Sequence, residues 1–137
     1  MTKAKLSLRI DLANGSRLGP GKVALLEAVA RCASISAAAR EQGMSYRRAW
    51  LLTDDMNRAF ESAVVETFPG RSQGKGARVT ELGEQLIALY RKAERLTAGA
   101  IANEVGDVEK LSNAAYTDPR VKRRRDQPKP GSDADDA

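Results

Sequence analysis

The sequence predicts a mainly α-helical domain with one small β-hairpin, and three observations predict it. Apolar residues recur at spacings of three and four through most of residues 21–100, the period of an amphipathic helix. Three of these stripes open on a serine or threonine suited to cap a helix. A glycine-rich stretch, Pro69 to Gly76, lies between two short segments rich in β-branched residues.

Residues 6–12 alternate Leu6, Leu8, Ile10 and Leu12 with Ser7, Arg9 and Asp11, so a strand with one buried face is expected there. Ala13 to Ser16 is turn chemistry, and Gly19-Pro20-Gly21 opens the first helix. That helix runs over 21–32. Val23, Leu26 and Ala30, with Leu25, Val29 and Cys32, form its apolar stripe. Cys32 on this stripe reads as a small buried core residue rather than a reactive thiol. Ser34 caps a second, short helix that Gly43 ends, with a left-handed backbone expected at Gly43. Ser45 caps a third helix, Tyr46 to about Phe60, with Ala49, Leu52, Met56 and Phe60 facing inward. Residues 63–68 and 77–80 are the two short strands flanking the glycine-rich loop. Thr80 then opens a last helix. Leu82, Leu86, Leu89, Ala93 and Leu96 give it a 4-3-4-3 seam like that of a coiled coil. After Gly99 the stripe shifts to Ile101, Val105, Val108 and Leu111. From Thr117 the chain is rich in Pro, Arg and Asp, and disorder is expected. The organisation read from this is 1–96 as the folded domain, 97–116 as an extension of its last helix, and 117–137 as a disordered tail.

Charge gives the first functional constraint. The 137 residues carry a formal charge of +5, and residues 1–96 hold 16 of the 23 basic but only 10 of the 18 acidic side chains. The positive excess thus sits in the folded part, as a footprint for a polyanion would. There is no histidine, which removes the commonest general base and metal ligand, and a single cysteine excludes an internal disulfide. Enzymatic function is therefore not expected, and neither a catalytic residue, a metal site nor a cofactor is assigned. No apolar run approaches a membrane span, and the N-terminus carries no signal peptide pattern, so a cytoplasmic protein is expected.

Two short helices joined by a glycine turn can form a helix-turn-helix, and a β-hairpin after them makes it a winged helix. Ala39, four residues before Gly43, is small enough for close packing. Ser45, Tyr46, Arg47 and Arg48 form a polar, cationic first turn on the third helix. Two arginines there are unfavourable for an isolated helix, whose N-terminus already carries partial positive charge, so an external anion is implied. Candidate DNA contacts are Ser36, Arg40, Ser45, Tyr46, Arg47, Arg48 and Trp50, with Arg71, Lys75 and Arg78 from the wing. For each of Arg47 and Arg48 a guanine edge and a phosphate are equally open. Trp50 reads either as a shield between helix and groove or as a boundary residue of the core. Asp54 and Asp55 point about 100° apart on a helix and are expected to keep its far end off DNA. The loop from Gly70 to Gly76 is not a P-loop: its glycine spacing is short, Lys75 is not followed by Ser or Thr, and a strand rather than a helix follows. The basic run Lys122 to Arg125 reads as a solvated tail.

These residues resemble a known family. SISAAAR, MSYRRAW, the asparagine of DDMN, and the glycine-rich wing running into Thr80 and Gly83 look like the N-terminal DNA-binding domain of the molybdate-responsive transcriptional regulators, the ModE family. More loosely they are similar to the LysR-type winged helix. The resemblance covers about residues 6–96. It implies a winged helix-turn-helix that binds double-stranded operator DNA as a homodimer, with 45–60 as recognition helix. It also implies that Leu82, Leu86, Leu89, Ala93 and Leu96 contribute to dimerisation. The family's C-terminal oxyanion-binding barrels have no counterpart in residues 97–137, which lack strand alternation. That counts against direct molybdate binding, with molybdenum metabolism as the context. The alternative reading is a winged helix that binds another protein without sequence-specific DNA binding.

Overall fold

The computed structural model describes residues 3–69 and 75–121. In chain order these form β1 (Ile10–Asp11), β2 (Arg17–Leu18), α1 (Pro20–Cys32), α2 (Ile35–Glu41), α3 (Tyr46–Ala59), β3 (Val65–Pro69), β4 (Lys75–Val79), α4 (Glu81–Ala100) and α5 (Ala102–Leu111). The architecture is mainly helical with two small antiparallel hairpins, β1–β2 and β3–β4, and is compatible with a winged helix.

Helix α1 is the centre of the core. Leu25, Leu26, Ala28 and Val29 are wholly buried. They pack with Ile35, Ala38 and Ala39 of α2, Ala49 and Met56 of α3, and Val64, Val65 and Ala77 of the second hairpin. The alanines at 28, 38, 39 and 49 leave little side chain between backbones, so α1, α2 and α3 approach closely. Pro20 starts α1, where its missing N–H costs nothing. Ala33 ends it in a left-handed conformation (φ 56°), the one non-glycine residue with positive φ among those described. The cost, about 1 kcal/mol, is offset by two bonds. The Ala33 N–H donates to the Val29 carbonyl (2.9 Å), and its own carbonyl accepts from the Ala77 N–H of β4 (3.0 Å).

The expected caps are in place. Ser34 accepts from the Ala37 N–H, Ser45 from the Arg48 N–H and Thr80 from the Gly83 N–H, each at 3.1 Å. Gly43 is left-handed (φ 69°), as the turn between α2 and α3 required.

Three local expectations differ. Of residues 6–12 only Ile10 and Asp11 pair as a strand, because their partner is two residues long before Pro20 begins α1. The carbonyl of Leu8 instead accepts from the Tyr90 hydroxyl at 2.7 Å. Tyr90, Leu18 and Val23 form a second small buried cluster against which Leu8 packs. Cys32 is half-buried rather than a core residue. Its thiol donates to Glu41 Oε2 at 3.2 Å, and burial, with Glu41 beside it, pushes the thiol pKa up. The last helical run is in two pieces: Ile101 leaves helical geometry (φ −119°, ψ 20°) where the apolar stripe shifts, and α5 buries no residue fully.

The seam on α4 divides. Leu82 and Leu86 pack on the chain's own core, Ala93 is half-buried, and Leu89 and Leu96 are 58% and 65% exposed. Helix α4 is held to α1 by Arg91, whose guanidinium donates to both Glu27 carboxylate oxygens (2.6 and 3.0 Å) and to Glu94 (2.8 Å). The hydrogen bonds from Arg91 hold the Glu27 carboxyl below the usual carboxylate range.

Residues 122–137 lie outside the described residues, and with them Lys122 to Arg125 and most of the expected disordered tail. Among the described residues no helix is long and apolar enough to cross a membrane.

Candidate nucleic-acid interface

Helix α3 presents two unlike faces. Ala49, Thr53 and Met56 are buried, and the Thr53 hydroxyl satisfies itself by donating to the Ala49 carbonyl (2.8 Å). The opposite face carries Arg47 and Leu51, flanked by Trp50, Arg48 and Tyr46, all exposed. Trp50 and Leu51 are 46% and 47% exposed, so Trp50 is not enclosed in the core. Among the described residues the side chains of Arg47 and Arg48 have neither a hydrogen bond nor an ion pair. Farther along α3 the charges are neutralised within the chain. Asp54 pairs with Arg58 (3.3 Å), and Asp55 accepts from Lys22 Nζ (2.7 Å) and the Ser16 hydroxyl (3.4 Å). The bond from Lys22 holds the Asp55 carboxyl below its ordinary range. Asp55 therefore fastens α3 to α1 and the first hairpin.

Ser36 and Arg40 stand on the exposed side of α2, and the Arg40 guanidinium donates to the Ser36 hydroxyl at 3.1 Å. Ser45 is engaged as a cap through its side chain. On the second hairpin Arg78 faces Glu66 across the ladder and donates to it at 2.9 and 3.2 Å. Both are exposed, so the pair contributes at most about 1 kcal/mol, and a phosphate can displace Glu66 at small cost. Arg71 lies outside the described residues, as does the side chain of Lys75. The Lys75 backbone pairs with Pro69 at the outer end of the ladder. Gly76 is not an open approach for a ligand: a Cβ there would lie 2.5 Å from the ring of Phe68, its cross-strand partner, which the glycine accommodates.

Two residues anchor the root of the hairpin, one from α3 and one at the start of α4. Asn57 Oδ1 accepts from the Val64 and Val65 amides (2.8 and 3.1 Å), and its Nδ2 donates to the Val65 carbonyl (3.1 Å). Thr80 donates its hydroxyl to the Ala63 carbonyl (2.7 Å) and its amide to the Val64 carbonyl (2.9 Å). The asparagine of DDMN and the Thr80–Gly83 pair are thus the joints of the frame.

Sequence reasoning missed Leu51. A leucine between Trp50 and Leu52 reads as one more apolar residue. The signal that finds it is its angular position, on the Arg47 side and away from Ala49 and Met56. A shallow hollow of about 210 Å³ is lined by Ser45, Arg47, Arg48, Leu51 and Leu52.

No protein-family model matches the chain. Among known proteins it is 41% identical over 103 residues to the molybdenum-pterin-binding protein MopA of Rhodobacter capsulatus, a match covering 75% of this chain and 37% of MopA. It is 36% identical over 91 residues to the molybdenum transport protein ModE of Azotobacter vinelandii, covering 66% of this chain and 33% of that protein. To the DNA-binding transcriptional dual regulator ModE of Escherichia coli it is 35% identical over 88 residues, covering 64% and 34%. The chain therefore spans about a third of the length of the relatives it matches. Its N-terminal region is thus homologous to ModE, MopA and MopB, consistent with a ModE-family N-terminal domain.

Proposed function

We propose that the chain is a sequence-specific DNA-binding transcriptional regulator of ModE/LysR-like type, acting in molybdenum metabolism and binding operator DNA as a homodimer. In this reading residues 1–96 form a winged helix-turn-helix, with α2 and α3 as the reading pair and β3–β4 as the wing. Residues 97–116 continue from α4 into the separate short helix α5, and 117–137 form the tail. Leu82, Leu86, Leu89, Ala93 and Leu96 of α4 contribute to the dimer.

The observation that carries the proposal is the pair of partnerless guanidinium groups at the start of α3. The helix N-terminus repels them and no carboxylate among the described residues compensates, so an external polyanion is the fitting partner. Support comes from the relatives whose names describe DNA-binding transcriptional regulation. MopA and MopB are named for binding molybdenum-pterin, but no described part of this chain offers a barrel for an oxyanion, so direct molybdate binding is not proposed.

Duplex titration at several salt concentrations tests the reading. Log affinity is expected to fall with log salt by about 0.9 per phosphate neutralised. A flat response would favour the alternative, a protein-binding winged helix. A second measurement separates roles within the surface. Arg47→Ala or Arg48→Ala, whichever contacts a base, loses ~1–3 kcal/mol on the cognate duplex and less on random DNA. Lys75→Ala weakens both duplexes about equally. Equal losses on both duplexes for both arginines would leave these residues as phosphate contacts alone.

A further inference from the structure

The reading face of α3 is more apolar than a phosphate contact needs. Leu51 and Trp50 hold about half their surface in water, beside two cations without partners. Leu51 is turned away from the core, on the side of α3 opposite Ala49 and Met56. It lies next to Arg47 and Arg48 on the wall of the hollow that also includes Ser45 and Leu52. The charges determine what can occupy that hollow. An apolar protein surface would bury both guanidinium groups without anions, which costs several kcal/mol per charge. The DNA major groove supplies phosphates and acceptor edges for the arginines. It also supplies one apolar group at base level, the C5-methyl of thymine.

Resting on the DNA-binding reading above, we infer that this hollow takes a thymine C5-methyl group, and that Leu51 is a specificity-determining residue for a thymine beside the base pair or phosphate met by Arg47 and Arg48. Leu51 recognises shape and apolarity, whereas the arginines recognise charge and acceptors.

Replacing thymine by deoxyuridine removes this methyl and leaves every hydrogen-bonding group unchanged. The full chain is first used to select a preferred duplex from a random library. Each thymine of that duplex is then replaced singly by deoxyuridine. At one or two positions wild-type affinity is expected to fall about fourfold, the worth of one buried methyl. Leu51→Ala is expected to bind the thymine duplex more weakly and to lose the response at one of those positions. Because Leu51 is exposed, the variant keeps the helical circular dichroism of the wild type. An unfolded variant is replaced by Leu51→Gln, which keeps length and removes the apolar tip. A wild type indifferent to every substitution overturns the thymine inference while leaving sequence-specific binding intact. So does a response that persists unchanged in the Leu51 variants. Failure to select any duplex overturns the DNA-binding reading itself, and this inference with it.

Discussion

Leu96→Glu is expected to yield a folded monomer that has lost at least about a hundredfold in affinity for an operator of two half-sites. A dimer on two half-sites gains about 10²–10⁴ over one module, through effective concentration alone. Separating the copies removes that gain without touching the reading helix. The division of the α4 seam makes the experiment clean. Leu96 and Leu89 stand mostly in water in the single chain, so a carboxylate there costs the monomer within about 0.5 kcal/mol. Leu82 and Leu86 pack on the chain's own core, and charges there would unfold it rather than report on assembly. Sedimentation equilibrium and titration on single and paired half-sites provide the readout. A wild type that stays monomeric at concentrations where it binds a paired site tightly would remove the dimer from the proposal. Equal affinities of wild type and Leu96→Glu for that site would do the same.

Gly83→Ala is expected to destabilise the domain by about 3 kcal/mol, lowering the melting temperature by at least about 12 °C. Intrinsic propensity points the other way, since alanine for glycine inside a helix ordinarily gains about 1 kcal/mol. Sterics decide the sign. A Cβ at Gly83 would lie 2.5 Å from the Val64 carbonyl oxygen and 2.5 Å from Val79 Cγ1. That carbonyl is no flexible side-chain tip: it accepts from the Thr80 amide at 2.9 Å, so the root of the hairpin has to move. Gly99→Ala is the control, because a Cβ there meets nothing within 4 Å. Thermal and urea unfolding of both variants gives the comparison. A Gly83→Ala protein as stable as the wild type would mean that α4 and the hairpin are less tightly joined than this geometry requires.

What could be read from the sequence followed local chemistry. Ser34, Ser45 and Thr80 announced three helix starts because a cap bonds within three residues of itself, and Gly43 announced the turn because few residues tolerate its backbone. The exposure of Arg47 was legible for the same reason, as it falls opposite Ala49 and Met56 on a 3.6-residue period, with Arg48 on the flank of that face. What could not be read depends on partners far along the chain. Tyr90 lies off the 4-3 seam and is buried because its hydroxyl reaches the carbonyl of Leu8, 82 residues away. Glu27 and Arg91 read as solvated charges until α1 and α4 are laid together. Asp55 looked like a repulsive neighbour for DNA, and Lys22 with Ser16 made it a fastening. Cys32 fitted the apolar stripe of α1, but the stripe turns outward at its last residue, where Glu41 takes the thiol proton as a hydrogen bond.

The three bonds of Asn57 bear on the entropy of recognition. They join the C-terminal half of α3 to β3, while Ala33 joins the end of α1 to β4. The helix and the root of the hairpin are consequently bonded to each other in the free chain. In the proposed DNA complex, a partner that spans both meets them already joined, so less configurational entropy is lost in ordering one against the other. Tightening such a complex then depends on the contacts each element makes more than on the two elements finding their relative pose.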